Sequence, residues 1–196
     1  MENYGGFDHN LQTLRIIMFL ENKYLKFDGL NLTIETLDGL IKHNGPVHNL
    51  HKYNSILGSN FHKNKIKFKK QASLEAQISS ISDDIAYNSH DLEDGLKAKL
   101  FNLKEISQIP VLKKLINKHK SKITKYSQEL VLRQIIRDII NEMVTDVITN
   151  TKKNLNKYNI KDLKDVYKSK YPLVSFSKKM QLFDDSIKSF LKKNMY

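Results

Sequence analysis

Apolar positions recur every three to four residues through most of this chain, and that period predicts helices. Over residues 127–155 one face is assigned Leu130, Ile135, Ile139, Met143, Val147 and Ile148, with Arg133, Arg137 and Glu142 mostly elsewhere. Residues 10–25 and 33–43 predict two shorter helices. A long one is expected over 71–100, with Ile78, Ile81, Ile85, Leu92 and Leu96 apolar. Pro110 is placed to open another at its first turn, ahead of Val111, Leu112, Leu115 and Ile116. The last is predicted over 177–194, burying Met180, Phe183, Ile187, Phe190 and Leu191. No stretch alternates with period two for long enough to make a sheet. The expected fold is all-α.

The pattern breaks twice. Over 44–70 it is interrupted by Gly45-Pro46 and by the turn residues Gly58-Ser59-Asn60, and over 156–176 by Pro172. Neither break reads as a hinge between independent domains. The 196 residues suffice for one domain or two small ones. The absence of cysteine excludes disulfides, thiolate metal sites and cysteine nucleophiles. With no apolar run near the ~20 residues of a membrane span, a cytoplasmic location is expected and a membrane partner is not. The net charge of +12 points towards polyanions, yet 30 of the basic residues are Lys and only 3 are Arg. Arginine, whose planar fork bonds phosphates and bases bidentately, is the better marker of nucleic-acid recognition.

Three segments carry candidate chemistry. Residues 83–95 hold Asp83, Asp84, Asp91, Glu93 and Asp94, a density that repels itself on a helix unless it is neutralised. Helical spacing puts Asp83, Tyr87 and either His90 or Asp91 on one face. That arrangement suits a hard metal and a substrate, or else a solvated acidic face in a Lys-rich protein. Near the start, His9, Gln12 and Arg15 align at helical spacing and offer an acid/base group with polar neighbours. The alternative is a helix capped by Asp8 and followed by a polar stripe. His48, His51 and His62 could ligate zinc, but the spacing is loose and a solvated loop is the plainer reading. There is no Walker or Rossmann glycine loop and no nucleophile elbow.

Taken in order, four blocks resemble the deoxyguanosinetriphosphate triphosphohydrolase-like branch of the HD-domain phosphohydrolases. The first is Gly5-Gly6-Phe7-Asp8-His9-Asn10 running into Gln12-Thr13-Leu14-Arg15-Ile16. The second is Leu30-Asn31-Leu32-Thr33, leading to Thr36-Leu37-Asp38-Gly39-Leu40-Ile41-Lys42-His43-Asn44-Gly45-Pro46. The third and most specific is Ser73-Leu74-Glu75-Ala76-Gln77 with the acidic 83–95 block. The fourth is Leu173-Val174-Ser175-Phe176-Ser177 with Phe190-Leu191 and Met195-Tyr196.

The resemblance implies a helical bundle, the C-terminal portion of an HD-domain phosphohydrolase. Residues 1–100 would be the remainder of the catalytic domain, and 101–196 an associated helical region packed as one unit with it. It implies cleavage of a deoxynucleoside triphosphate to deoxynucleoside and inorganic triphosphate, with a divalent metal such as magnesium or manganese held by two His and two Asp. Asp83, rather than Asp84, matches the last of those ligands. Tyr87 and Asp91 match positions facing the sugar, His9 a pocket histidine near the scissile phosphate, and Lys42 a phosphate contact.

The other three ligands belong to a His…His-Asp segment upstream of the Gly-Gly-Phe block, and this sequence does not contain it. The expectation is therefore a fragment that binds metal poorly and is inactive alone, left by a split or decaying gene and completed by a separately encoded N-terminal half. Homo-oligomers are also expected. The rival class is a non-enzymatic, basic helical module that binds nucleic acid or an intact homologue.

Overall fold

A computed structural model describes residues 7–49, 51–57, 66–123 and 126–196. Gly5-Gly6, Gly58-Ser59-Asn60 and His62 lie outside the described residues. Within them the regular structure is entirely helical: α1 (His9–Arg15), α2 (Ile34–Ile41), α3 (His51–Leu57), α4 (Leu74–Lys97), α5 (Leu103–Ile106), α6 (Pro110–Ile123), α7 (Gln128–Lys157), α8 (Leu163–Lys168) and α9 (Lys178–Asn194). Two compact units form, one from Met1–Ser80 with Tyr158–Leu173, the other from Ile81–Lys157 with Val174–Tyr196. No helix among the described residues is long and apolar enough to cross a membrane.

The first unit packs Leu14, Leu37, Ile41, Tyr53 and Ile66 into a core flanked by Leu11, Ile17, Met18, Leu32, Ile34, Val47 and Phe68. Its helices start where side-chain caps satisfy the free backbone N–H groups. Asp8 accepts from the Leu11 amide at 3.1 Å, Thr33 from that of Thr36 at 3.4 Å, and Ser73 from that of Ala76 at 3.3 Å. The predicted helix over 10–25 stops early. After Arg15 it widens into a π-helical turn, Ile16–Leu20, closed by the Glu21 amide on the Ile16 carbonyl. Early in α4 the buried face centres on Gln77, about a quarter-turn from Ile78, so Ile78 stays half exposed. Gln77 itself bonds the Ala72 carbonyl and the Leu173 amide, each at 2.8 Å.

In the second unit α6 packs along α7, and the buried side of α7 carries Val131, Leu132, Ile135, Ile136, Ile139, Met143 and Val147. Leu130 and Ile148, expected on that face, are exposed. They are separated by about five full helical turns, hence in phase with each other and half a turn from Ile139. Pro110 is the first residue of α6, as predicted, and the expected apolar face of α9 is buried except for a half-exposed Phe190. Asp146 accepts from the Ser177 amide and hydroxyl, both at 2.7 Å, and so anchors the start of α9 to α7.

The short helices α3, α5 and α8 escaped the periodicity because four to seven residues hold too few apolar positions to show a period. α5 did carry a local signature, the reciprocal capping box of Asn102 and Glu105.

One polar cluster in the second unit makes part of its stability depend on pH. His119 is buried, and its Nε2 lies 2.9 Å from Asp138, which also accepts from Lys118 at 3.0 Å and Gln134 at 2.9 Å. The His119 hydrogen bond foremost, against burial and with help from Lys118 and Gln134, holds the Asp138 carboxyl well below the usual carboxylate range. A folded-state pKa lowered in this way gives stability that is present above the unfolded value of about 4 and lost as pH falls towards the folded one. Asp138→Asn should cost about 2 kcal/mol at neutral pH. It should also flatten the fall in stability below about pH 4, as read from urea unfolding at a series of pH values.

Candidate functional site

The capping of α1 by Asp8 fixes where His9 stands. His9 is the first helical residue, solvent-exposed, and lines a hollow of about 350 Å³. The same hollow is lined by Asn10 and, from the turn after α2, by Asn44, Gly45 and Pro46. Gly45 takes φ +96°, a left-handed conformation that favours glycine, and its amide bonds the Lys42 carbonyl at 2.8 Å. Two sequence blocks about 35 residues apart therefore meet in one polar concavity.

Tyr53 also lines it, from α3, the helix the sequence pattern did not reveal. Burial first, then the Asp8 carboxylate, hold its phenol above its ordinary value, with Asn10 hydrogen bonding in opposition. The hydroxyl thus stays a donor. Beside the Asp8 carboxylate, the hollow offers an imidazole, a phenol and two carboxamides, which can hydrogen-bond an oxygen-rich ligand and transfer a proton to it.

Lys42 does not share this hollow. It is only 2% exposed, and its ammonium sits 2.7 Å from Asp38, 3.4 Å from the Gln71 carbonyl and 5.5 Å from the centre of the Tyr167 ring. It lines a separate hollow of about 260 Å³ with Glu35, Asp38, Lys67 and Tyr167. Burial first, then the carboxylates of Asp38, Glu35 and Glu75, raise the Tyr167 phenol above its usual range.

In the second unit Asp83, Tyr87 and His90 form one exposed stripe of α4, with Asp91 half-buried beside it. The opposite side buries Ile85, Asn88, Ser89 and Leu92. The acidic density is partly neutralised: Asp84 pairs with Lys188 at 3.2 Å, and Glu93 with Lys97 at 2.6 Å. Asp91 accepts from the Tyr196 hydroxyl at 2.7 Å, which raises the Tyr196 phenol.

Beneath the stripe lies a carboxylate the sequence reading missed. Asp184 is 1% exposed and accepts from Asn88 at 2.5 Å and Lys188 at 2.9 Å. Burial lifts its carboxyl above the usual range, against the pull of Lys188. Burial alone would lower the Lys188 ammonium, but Asp184 and Asp84 outweigh it and raise it. The i, i+4 spacing of Asp184 and Lys188 was legible as a helical ion pair, but its burial was not.

His9 and Lys42 belong to the first unit, and Asp83, Tyr87 and Asp91 to the second. Among the described residues no three His, Asp or Glu side chains are grouped to hold a metal ion. His48 is exposed, and His62 lies outside the described residues. Asp83 alone is not a metal centre, so the residues described do not by themselves build the divalent site that the resemblance implies.

The chain is 54% identical over 196 residues to a deoxyguanosinetriphosphate triphosphohydrolase-like protein of Pelagibacter ubique, matching all of this chain and 53% of that relative. Proteins of the same description from Bartonella henselae, at 41% identity, and Rickettsia prowazekii, at 36%, are likewise matched along the whole chain and over 50% and 51% of their own length. The chain spans about half the length of the curated relatives it matches. No family model matches it.

Proposed function

Since the chain belongs, from end to end, with one half of the deoxyguanosinetriphosphate triphosphohydrolase-like proteins, we propose that it supplies that half of a deoxynucleoside triphosphate triphosphohydrolase. The observation that carries this reading is the uninterrupted match over all 196 residues. The reaction adds water across the bond between the α-phosphorus and the sugar 5′-oxygen, releasing deoxynucleoside and inorganic triphosphate.

On this reading His9 serves proton transfer near the scissile phosphate, and Asn44 and Tyr53 add donors in the same hollow. Asp83 would supply one ligand to a divalent metal, and the other ligands would come from a polypeptide equivalent to the unmatched half of the relatives. That metal, when bound, polarises phosphate oxygens and acidifies water. Tyr87 and Asp91, one and two turns beyond Asp83, contact the sugar. A phosphate contact by Lys42 would require its ammonium to be shared with Asp38.

The test is hydrolysis of dGTP with manganese, by this chain alone and by this chain mixed with the unmatched half of the Pelagibacter ubique relative. Turnover is expected in the mixture and not from either part alone. Equal turnover by this chain alone would refute the assignment of the metal ligands.

A further inference from the structure

The π-helical turn Ile16–Leu20 that continues α1 is apolar on both sides. Leu11, Leu14, Ile17 and Met18 pack into the core of the first unit. On the opposite side, at spacings of three and four, Ile16, Phe19 and Leu20 are exposed. The loop that follows adds Tyr24, Leu25 and Phe27, also exposed, with the rings of Tyr24 and Phe27 4.9 Å apart. A helical segment that is apolar all round is the mark of one buried inside a larger protein. A run of exposed aromatic and aliphatic side chains with polar neighbours marks a contact surface.

This surface is built rather than loose. The Leu30 amide bonds the Ile17 carbonyl at 2.8 Å, folding the loop back against the π-helical turn. Gly29, at φ +68°, makes that return possible, because a Cβ there would stand 2.4 Å from the Ile17 and Met18 carbonyl oxygens. Single-turn π segments of this kind concentrate at functional positions.

We infer that Ile16, Phe19, Leu20, Tyr24, Leu25 and Phe27 form the seat for a polypeptide equivalent to the half of the relatives that this chain does not match. The relatives are twice as long, and this chain aligns with them along its full length. Their remaining half must pack on surfaces this half provides, and here the first unit presents an apolar face with no partner among the described residues. The inference rests on the reading above that two halves work together.

The test is calorimetric titration of this chain with the separately produced unmatched half of the Pelagibacter ubique relative. A one-to-one complex is expected. The double variant Phe19→Ser/Leu20→Ser should weaken it at least about 30-fold, the effect of removing central anchors. Leu182→Ser, at an equally exposed site on α9, should leave affinity within about twofold. Circular dichroism will show both variants folded, since every altered side chain is exposed.

Unchanged affinity in the Phe19/Leu20 variant would overturn the inference, as would failure of the unaltered chain to bind. So would self-association of this chain that the same variant dissolves, because a second copy would then occupy the face. Binding without turnover would keep the surface and remove the enzymatic reading. Turnover indifferent to Phe19 and Leu20 would do the reverse.

Discussion

Asp83→Ala is expected to lower dGTP turnover by the mixed halves by more than about 100-fold, beyond the 10–100-fold seen when groups that merely orient a metal ligand are removed. The thermal midpoint should barely move. Asp83 is an exposed residue in the middle of α4, and alanine is the better helix former. That pairing of a large loss with an intact fold distinguishes a functional carboxylate from one that only decorates an acidic helix. Asp84→Ala makes the comparison sharper. Its carboxylate pairs with Lys188, and turnover should fall by less than about tenfold. Equal losses in the two variants would mean that the negative charge of the block acts collectively and that Asp83 has no individual role.

Lys42→Met carries the largest expected effect on stability. The side chains of Lys42 and Asp38 are 1% and 10% exposed, and their charged atoms lie 2.7 Å apart. Removing the ammonium leaves Asp38 as a buried carboxylate without its counter-charge, a change that typically costs about 3–5 kcal/mol. The loss should appear in the first unit, where α2 would lose its tie to the Gln71 carbonyl. Asp38→Asn combined with Lys42→Met should recover much of it, because two neutral groups can share the site. Urea unfolding of the two single variants and the double variant completes the cycle. A loss below about 1 kcal/mol for Lys42→Met would mean the pair behaves as a solvated surface bridge.

These outcomes trace which parts of the molecule were legible as a sequence. The long helices were, because their apolar stripes are set by a local period. The ends and rotation of those stripes were not. Leu130 and Ile148 share a phase with each other but not with Ile139, so they face outward although they lie in the same apolar-rich run. The 10–25 helix ends early because a π-helical turn and Gly29 redirect the chain, and the signal was a glycine lying beyond the predicted end.

Of the candidate site, the Asp83–Tyr87–His90 stripe followed from spacing alone, since consecutive turns of one helix fix it. The hollow at His9 did not. It needs the turn after α2 and Tyr53 of α3, which are brought in by tertiary packing. Asp184 was hidden for the same reason. Nothing local distinguishes a carboxylate buried against Asn88 from one facing water.

The most direct test of the central claim is phosphorus NMR of dGTP incubated with magnesium and both halves. The predicted result is a single set of inorganic triphosphate resonances, with deoxyguanosine recovered by chromatography of the same sample, appearing only when this chain is present. Pyrophosphate with deoxyguanosine monophosphate would place the cleavage at a different bond, and no turnover in the mixture would leave this chain without the proposed activity. Either result would contradict the account.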